Sequence, residues 1–333
     1  MNKMKFLAYN VREDERIYIQ NWSNKNNVIV DMTEEAITPE TADLAKGYNG
    51  ICALQTSEYK SDMFKKIANS GIQSFAVRSV GFDSVDIEGA KKNKVKVTNV
   101  PGYSPSAIAE FSVGKALELI RRVPYFEQRM EEQDFRWNGY ISKELKHMTI
   151  GVIGTGRIGH SAATIYQGFG SKILAYDVYR NPELEKIVTY VDSIEDIFKE
   201  ADLITLHAPA LESNYHMIDK KAVDLMKQGV YLVNTARGSL IETEALLAGL
   251  NSGKIAGAAL DTYEGEAEYF SHSWVNKQIK DPILTELLSR KDIIVTPHIA
   301  FYTEQAVENM VDISLDSLKE LVETGSSKNE IYS

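Results

Sequence analysis

The sequence predicts an α/β protein with two doubly wound parallel sheets, each covered by helices. Its 333 residues exceed the size at which one hydrophobic core stops growing, which favours two domains. Short apolar runs alternate with polar segments of helical character, and this alternation is typical of parallel sheets. The runs form two series on either side of a long helical stretch, so each series is expected to form one sheet.

The first series lies within the first hundred residues and contains the runs KFLAY, NVIVDM, GICALQ, QSFAVRSV and VKVTNV. The second series begins at Met148 and contains TIGVIG, KILAYD, DLITLHAP, VYLVNTA, IAGAALDTY and DIIVTPHIA. Six such strands complete a dinucleotide-binding sheet. Between the series, Ser104 and Pro105 provide an N-cap and the residue preferred at the first helical position. We interpret the helix that follows as a hinge between the domains, buried on several sides.

The final segment, from Thr303 to Gly325, predicts a terminal amphipathic helix. Its apolar side chains recur at helical spacing: Val307, Met310, Val311, Leu318 and Leu321. Because this helix follows the last strand of the second sheet, we expect it to pack back on the first domain. The predicted domains are therefore residues 1–102 with 300–333, and residues 103–299.

Composition excludes several classes of function. The formal charge of −10 leaves no cationic excess for nucleic acid or an anionic membrane surface. Cys52 is the only cysteine, which rules out an intrachain disulfide and a cysteine-based zinc site. No His, Asp and Glu group recurs at ligand spacing, so no metal is expected. The beginning of the chain lacks the apolar core of a signal peptide, and no window is long enough to span a bilayer. These features predict a cytoplasmic protein.

A glycine motif follows the apolar run TIGVI and precedes a helical segment. It consists of Gly154, Thr155, Gly156, Arg157, Ile158 and Gly159. The glycines allow a tight turn, backbone approach to a pyrophosphate and close packing of helix on strand, while the helix N-terminus favours the phosphates. Asp177 ends the next strand, where a carboxylate binds ribose hydroxyls and repels a 2′-phosphate, so NAD is favoured over NADP. Arg180 could weaken that preference, and the alternative is a purely structural turn with Asp177 solvated.

Three ionisable residues follow strands of the second series, and they match the needs of hydride transfer to a keto acid. Arg237 can bind a carboxylate and polarise the adjacent carbonyl. His298 can donate the proton that converts the C2 oxygen into a hydroxyl. Glu266 can orient the imidazole and stabilise its protonated form. Because ligands of open parallel sheets bind at the carboxyl ends of the strands, we expect these residues to converge. Two alternatives remain: Arg237 caps a strand end, or Glu264 faces the histidine.

At this point the sequence resembles the D-isomer-specific 2-hydroxyacid dehydrogenase family, most closely its bacterial D-lactate and D-2-hydroxyisocaproate members. The resemblance spans most of the chain and is carried by RSVGFDSVDI, NVPGYSPSAIAEF, GVIGTGRIG, NTARGSLIETEALLAGLNSGKIAG, ALDTYEGE and TPHIAFYT. It implies a homodimer of two-domain subunits with a cleft between a flavodoxin-like substrate domain and a Rossmann domain that binds NAD. It also implies the catalytic set Arg237, Glu266 and His298, and the spacing from Asp261 favours Glu266 over Glu264.

The resemblance assigns further residues to the ligands. The additional cofactor contacts it implies are Ala208, Pro209, Asn214, Thr235, Ala236 and Asp261. The substrate carboxylate is assigned to backbone N–H groups around Val80 and Gly81. The other residues expected on the substrate side are Leu54, Arg78, Tyr103, Phe301 and Tyr302. The remaining histidines are interpreted as structural or exposed, with His207 near the cofactor: His147, His160, His207, His216 and His272.

Three departures from the lactate-type pattern predict a preference for keto acids larger than pyruvate, such as 2-ketoisocaproate or phenylpyruvate. Leu54 stands where lactate-type members usually have tyrosine, Phe111 where they have histidine, and Gly102 where they have a larger apolar residue. Two other functions stay open: D-lactate dehydrogenase proper, and a non-catalytic NAD-sensing regulatory protein with the same fold. Formate dehydrogenase fits poorly, because its pattern has glutamine at the position of Glu266.

Overall fold

Strands and helices alternate along the chain in the computed structural model, which describes residues 3–54 and 58–332. The strands are β1 (Lys5–Tyr9), β2 (Ile29–Met32), β3 (Gly50–Ala53), β4 (Ser74–Val77), β5 (Lys96–Thr98), β6 (Thr149–Ile153), β7 (Lys172–Tyr176), β8 (Thr189–Tyr190), β9 (Leu203–Leu206), β10 (Val230–Asn234), β11 (Ile255–Leu260) and β12 (Ile293–Val295). The α-helices are α1 (Arg16–Asn26), α2 (Ser61–Asn69), α3 (Ile87–Lys92), α4 (Pro105–Ile120), α5 (Val123–Glu131), α6 (Arg157–Gly168), α7 (Ile194–Glu200), α8 (Lys220–Leu225), α9 (Thr243–Asn251), α10 (Glu266–Tyr269), α11 (Pro282–Ser289) and α12 (Glu304–Thr324).

The first sheet has the strand order β2-β1-β3-β4-β5, with every neighbouring pair parallel. This is the flavodoxin-like order of a doubly wound sheet. All five apolar runs of the first series form its strands. The central strands β3 and β4 are buried at every position, as expected for a parallel sheet covered on both faces.

The second sheet has the order β12-β11-β10-β9-β6-β7-β8, again with all pairs parallel. The strand order reverses between β6 and β9, and such a switch point is where open sheets bind ligands. The six predicted runs form β6, β7 and β9 to β12. Strand β8 was not predicted, because its two residues, one exposed and one half-buried, make no apolar run. The predicted fold class, two parallel α/β sheets with helices, is confirmed.

The chain divides into two compact units, Met1–Ser104 with Tyr302–Ser333, and Pro105–Phe301. The predicted boundaries lie two residues earlier at both crossings. Helix α12 belongs to the first unit, where it packs against α1, β3 and β4. Thr303 caps its first turn by accepting a hydrogen bond from the Ala306 amide, and Gly325 ends it with φ of +79°.

Helix α4 opens the second unit at Pro105, as predicted, and packs on α6, β10 and β11. Its buried residues share one stripe, rather than the several sides expected: Ala109, Ser112, Val113, Ala116, Leu119 and Ile120. Phe111 is only half-buried. Within residues 3–54 and 58–332, no helix is both long and apolar enough to cross a membrane.

Candidate active site

The glycine motif lies between β6 and α6, beside the switch point of the second sheet. Gly154 has φ of +91°, and a Cβ there would lie 2.6 Å from the carbonyl carbon of His207. A Cβ at Gly159 would lie 1.9 Å from the Gly154 carbonyl oxygen. Gly156 is different, because a Cβ there would meet nothing within 4 Å. The outer glycines are therefore required by packing, whereas Gly156 leaves open space above the exposed start of α6, where Arg157 and Ile158 lie.

Asp177 directly follows β7 and is fixed against the glycine motif. Its Oδ2 accepts hydrogen bonds from the Thr155 amide at 2.5 Å and the Thr155 hydroxyl at 3.2 Å, and its Oδ1 accepts one from the Tyr179 amide at 3.0 Å. Asp177 is thus half-buried and ordered, not a solvated loop residue. The Arg180 guanidinium donates to Asp192 at 2.5 Å and lies over the Tyr190 ring, so its acidic partner is Asp192.

The other predicted cofactor residues follow the next strands of the same sheet. Ala208, Pro209 and Asn214 come after β9, where the Asn214 side chain donates to the Pro209 carbonyl at 2.8 Å and shapes the loop. Thr235 and Ala236 come after β10. The Thr235 hydroxyl is buried and has no hydrogen-bond partner among residues 3–54 and 58–332, so a bound polar group would satisfy it.

His207 follows β9 and lies against the glycine motif through its backbone. Burial lowers the pKa of its imidazole to about 4, so the ring is neutral near pH 7. Its Nε2 lies 3.0 Å from the Thr205 hydroxyl, while in the described part of the chain Nδ1 is buried without a partner. The expectation that His207 lies near the cofactor stays a prediction.

His298 and Glu266 form a direct pair. His298 Nδ1 lies 2.7 Å from Glu266 Oε1, and Glu266 Oε2 accepts a hydrogen bond from the Tyr263 amide at 2.7 Å. Because a carboxylate can only accept, Nδ1 is the donor and carries the hydrogen. Nε2, on the opposite side of the ring, is then the nitrogen that faces away from Glu266. Glu264, the alternative partner, instead contacts His216 at 3.0 Å.

Asp261 fixes the segment that carries His298. Its carboxylate accepts hydrogen bonds from the Thr296 hydroxyl at 2.6 Å and from the amides of Ile299 and Ala300 at 3.0 and 2.8 Å. Its carbonyl accepts one from the His298 amide at 2.8 Å. The side chain is almost completely buried, and this burial raises the pKa of its carboxyl. The predicted cofactor contact of Asp261 stays a prediction, and this positioning role was not foreseen.

Arg237 follows β10 by three residues and is half-buried. Its carbonyl accepts from the Asn234 side chain, and its own Nη1 donates to the Ala236 carbonyl, both at 2.8 Å. The next residue, Gly238, lies against the segment that leads to Glu266, since a Cβ there would be 2.2 Å from the Tyr263 carbonyl carbon. The segments carrying Arg237 and Glu266 are therefore in direct contact.

Of the predicted substrate residues, Leu54 follows β3, and Val80 and Gly81 follow β4. Leu54 is half-buried, and its carbonyl accepts from the Tyr59 hydroxyl at 2.9 Å. Val80 is exposed and Gly81 half-buried. Tyr103 is 9% exposed, and Tyr302 is 51% exposed. Phe301 is the last residue of the second unit and is half-buried.

The prediction that Arg78 lines the substrate side is wrong. Its side chain is fully buried, and its Nε donates to the equally buried Glu15 at 3.0 Å. The other nitrogens donate to the carbonyls of Tyr9 and Asn10 at 2.9 and 3.1 Å and to Cys52 Sγ at 3.3 Å. A guanidinium needs such partners when it leaves water, and here they bind the ends of β1, β3 and β4 together.

Arg12 was missed by the sequence reasoning. Its guanidinium lies 5.5 Å from the centre of the Tyr302 ring and donates to Asp14 at 2.9 Å, so it contacts a predicted substrate residue. The signal was a cation directly before the acidic run EDE. In the described ranges, no three His, Cys, Asp or Glu side chains are placed to hold a metal ion.

Comparison with known proteins decides the family. The model of the "D-isomer specific 2-hydroxyacid dehydrogenase, NAD binding domain" matches residues 113–300, more than half of the chain. The D-lactate/D-glycerate dehydrogenase of Pediococcus acidilactici is 49% identical over 328 residues, which cover 98% of this chain and 99% of that protein. The chain belongs to the D-isomer-specific 2-hydroxyacid dehydrogenase family.

Solved structures of family members agree with this assignment. A D-2-hydroxyisocaproate dehydrogenase is 39% identical, with a TM-score of 0.91 over 99% of this chain and 100% of that one. The NAD-complexed D-isomer-specific 2-hydroxyacid dehydrogenase of Lactobacillus delbrueckii ssp. bulgaricus is 38% identical, with a TM-score of 0.87 over 98% and 99%. The protein is thus an NAD-dependent dehydrogenase of this family, which sets aside the non-catalytic alternative.

The NAD-binding domain of the family coincides with the second unit, and the residues there fit the cofactor. Three observations carry the fit: the open space at Gly156, the ordered Asp177 carboxylate beside it, and the buried Thr235 hydroxyl. Each lies at the carboxyl end of a strand of the same sheet, where a dinucleotide binds in this fold.

Proposed function

We propose that this family member reduces 2-keto acids to D-2-hydroxy acids with NADH, and catalyses the reverse reaction with NAD, through Arg237, Glu266 and His298. The observation that carries this proposal is the 2.7 Å contact between Glu266 Oε1 and His298 Nδ1. The second oxygen of Glu266 is held by the Tyr263 amide, so the carboxylate and the ring are both oriented. The imidazole then exchanges protons through Nε2.

Bound NADH supplies the hydride that reduces C2 of the keto acid. Arg237 binds the substrate carboxylate and polarises the neighbouring carbonyl with its permanent charge. His298, protonated and stabilised by Glu266, donates a proton from Nε2 to the C2 oxygen as that oxygen gains negative charge. In the oxidation direction the neutral ring accepts the same proton.

The turn after β4 supports the proposed role of Val80 and Gly81 in binding the substrate carboxylate. The Asn99 side chain donates to the Val80 carbonyl at 2.7 Å, and the Ser79 hydroxyl donates to the Gly81 carbonyl at 2.6 Å. These bonds hold the turn in one conformation. A fixed turn suits backbone recognition of a carboxylate, because the N–H groups need no reorganisation on binding.

The proposed preference for side chains larger than that of pyruvate rests on Leu54 and Phe111. Both are half-buried, so each offers apolar surface. A branched or aromatic substrate side chain gains about 0.8 kcal/mol per buried methylene, whereas pyruvate has only a methyl group to bury. Phe111 is the weaker support, because the Lys115 ammonium lies 5.2 Å from the centre of its ring.

D-lactate dehydrogenase proper is the second candidate. It is favoured by the D-lactate/D-glycerate dehydrogenase at 49% identity, compared with 39% for the solved D-2-hydroxyisocaproate dehydrogenase. The deciding experiment compares kcat/KM with NADH for pyruvate, 2-ketoisocaproate, phenylpyruvate and hydroxypyruvate. If Leu54 offers an apolar surface to the substrate side chain, kcat/KM is expected to be higher for 2-ketoisocaproate and phenylpyruvate than for pyruvate. The reverse order would establish the lactate-type function.

A homodimer is also proposed. Three large apolar side chains in and after the turn that follows α5 are exposed: Phe135 at 68%, Trp137 at 74% and Ile141 at 96%. Such a concentration of exposed apolar surface is typical of an interface. Light scattering coupled to size exclusion is expected to give twice the chain mass, and Trp137→Asp is expected to shift the protein towards monomer. A monomeric unmodified protein would contradict the dimer.

A cytoplasmic location is proposed on the basis of Cys52, which is a buried free thiol. Such a residue suits a reducing compartment. Fractionation of producing cells is expected to recover the protein with soluble cytoplasmic markers, and recovery outside the cytoplasm would contradict this proposal.

A further inference from the structure

Tyr215, His216 and Glu264 form a cluster beside the segments that carry Arg237 and Glu266. His216 Nε2 lies 3.0 and 3.2 Å from the two oxygens of Glu264, and the Tyr215 hydroxyl donates to Glu264 Oε1 at 2.8 Å. The rings of Tyr215 and His216 are stacked, with centroids 3.8 Å apart. Because Nε2 faces a carboxylate, it must carry hydrogen, so both side chains donate to Glu264.

The backbone of the same histidine is bound to the segment that follows Arg237. The His216 amide donates to the Ser239 carbonyl at 2.8 Å. Two residues later, the Ile218 amide donates to the Leu240 carbonyl at 3.0 Å, so the contact continues along both segments. His216 is therefore connected to the Arg237 segment through its main chain and to Glu264 through its side chain.

Glu264 belongs to the same tight turn as Glu266. The Glu266 amide donates to the Tyr263 carbonyl at 3.0 Å, and the Tyr263 amide donates back to Glu266 Oε2 at 2.7 Å. A displacement of Glu264 would therefore also move the Glu266 carboxylate, which orients His298. The missing side chain at Gly238 lets the Arg237 segment touch this turn directly.

The backbone conformation of His216 indicates that neighbouring residues hold it in place. Its φ is +51°, in the left-handed region that a residue with a side chain adopts only when held there. Its side chain is 24% exposed and that of Glu264 is 36% exposed, so both can be replaced without opening the core. The carboxylate of Glu264 raises the pKa of the Tyr215 hydroxyl, with smaller contributions from Glu242 and Glu244, and this keeps the phenol a donor.

We propose that His216 is a positioning residue, which fixes the segment of Arg237 relative to the turn of Glu266 by bonding Ser239 through its amide and Glu264 through its imidazole. This inference rests on the proposed function, since it assigns His216 a role through Arg237 and Glu266. Misplacement of reacting groups by about 1 Å can cost on the order of 10²-fold in rate. Loss of the imidazole is therefore expected to lower kcat and to raise KM for the keto acid together.

The test compares His216→Leu with His216→Gln in the full-length protein. Leucine removes the donor to Glu264, whereas glutamine places an N–H near the position of Nε2. We expect His216→Leu to lose roughly ten- to a hundredfold in kcat/KM and His216→Gln to recover most of it. The matched control is His147→Leu, which removes a 73%-exposed histidine 3.9 Å from Glu144. His147 precedes β6 and therefore lies at the amino end of that strand, whereas the cluster of His216 follows the carboxyl ends of β9 and β11. This control is expected to keep the unmodified kcat and KM.

A double-mutant cycle separates positioning from a general loss of stability. In the Glu266→Gln background, His216→Leu is expected to cost less than in the unmodified enzyme, because part of its effect acts through Glu266. The inference would be overturned if the fold loss of the double variant equalled the product of the two single losses. A His216→Leu enzyme with a lower Tm but unchanged kcat and KM would also overturn it. If the unmodified protein reduces no keto acid, the proposed function fails instead, so the two failures are distinguishable.

Discussion

Replacement of Asp177 tests how the enzyme selects its cofactor. The carboxylate is fixed by three hydrogen bonds, of which two go from Thr155 to Oδ2 and one from Tyr179 to Oδ1. Oδ1 therefore keeps acceptor capacity for the adenosine ribose. Asp177→Asn keeps an oxygen of similar position and removes the charge, while Asp177→Ser removes both. The pair of variants separates the charge from the shape of the side chain.

The magnitude follows from the strength of one hydrogen bond to a charged group, about 1.5–3 kcal/mol. At about 1.4 kcal/mol for each factor of ten, kcat/KM for NADH is expected to fall roughly 10- to 100-fold in Asp177→Ser. The NADPH value is expected to rise, because the repulsion of a 2′-phosphate disappears. Arg180 contributes little while Asp192 binds it at 2.5 Å, so Asp177→Ser with Asp192→Asn is expected to favour NADPH further.

The assay is the initial rate of NADH or NADPH oxidation at saturating keto acid, with each cofactor varied to obtain kcat/KM. Asp224→Asn is the control, since it removes an exposed carboxylate paired with Lys220 in the same unit. The reasoning is refuted if the unmodified enzyme uses both cofactors equally well, or if Asp177→Ser leaves their ratio unchanged.

Three further predictions concern the chemistry, the pocket and the stability of the first unit. Glu266→Gln removes the counter-charge of the His298 imidazolium, and the loss of this charge-assisted hydrogen bond is expected to lower kcat for keto-acid reduction roughly 10- to 100-fold; an unchanged kcat would exclude this role. Leu54→Tyr is expected to reduce kcat/KM for 2-ketoisocaproate roughly tenfold more than for pyruvate, and equal losses would contradict the pocket argument. Arg78→Met strands the buried Glu15 carboxylate and is expected to lower the free energy of unfolding in urea by about 3–5 kcal/mol, whereas adding Glu15→Leu should recover most of it. A double variant as unstable as the single one would show that the charge is not the cause.

Much of the fold could be predicted because the buried strands of a parallel sheet are recognisable in the sequence as short apolar runs. Each of the eleven runs became a strand, and α4 and α12 begin where the sequence predicted. The predicted N-cap at Ser104 is wrong, because its hydroxyl is buried without a hydrogen-bond partner among the described residues. The sequence did not predict β8, a strand of two residues that pairs with β7. A strand that short depends on its neighbour for its conformation and leaves no period-2 or apolar pattern to detect.

Site residues could be predicted where the chemistry of the side chain limits its role. They could not be predicted where the role depends on the direction in which the side chain points. Glu264 and Glu266 are both carboxylates and lie two residues apart, and only the folded turn shows that one faces His216 and the other His298. Arg78 has the charge expected of a substrate ligand, but its side chain points into the core. The positioning bonds of Asp261 were also invisible, because its amide donors are defined by backbone conformation rather than by residue type.

The central claim is that His298, oriented by Glu266, transfers the proton in a D-specific reduction. The most direct measurement follows NADH oxidation by 2-ketoisocaproate and pyruvate with the unmodified enzyme and with His298→Asn, and resolves the product on a chiral column. The unmodified enzyme is predicted to form only the D-2-hydroxy acid, and His298→Asn is predicted to lose on the order of 10²- to 10⁴-fold in kcat. Formation of the L-product, or a His298→Asn enzyme with unmodified kcat, would contradict the account.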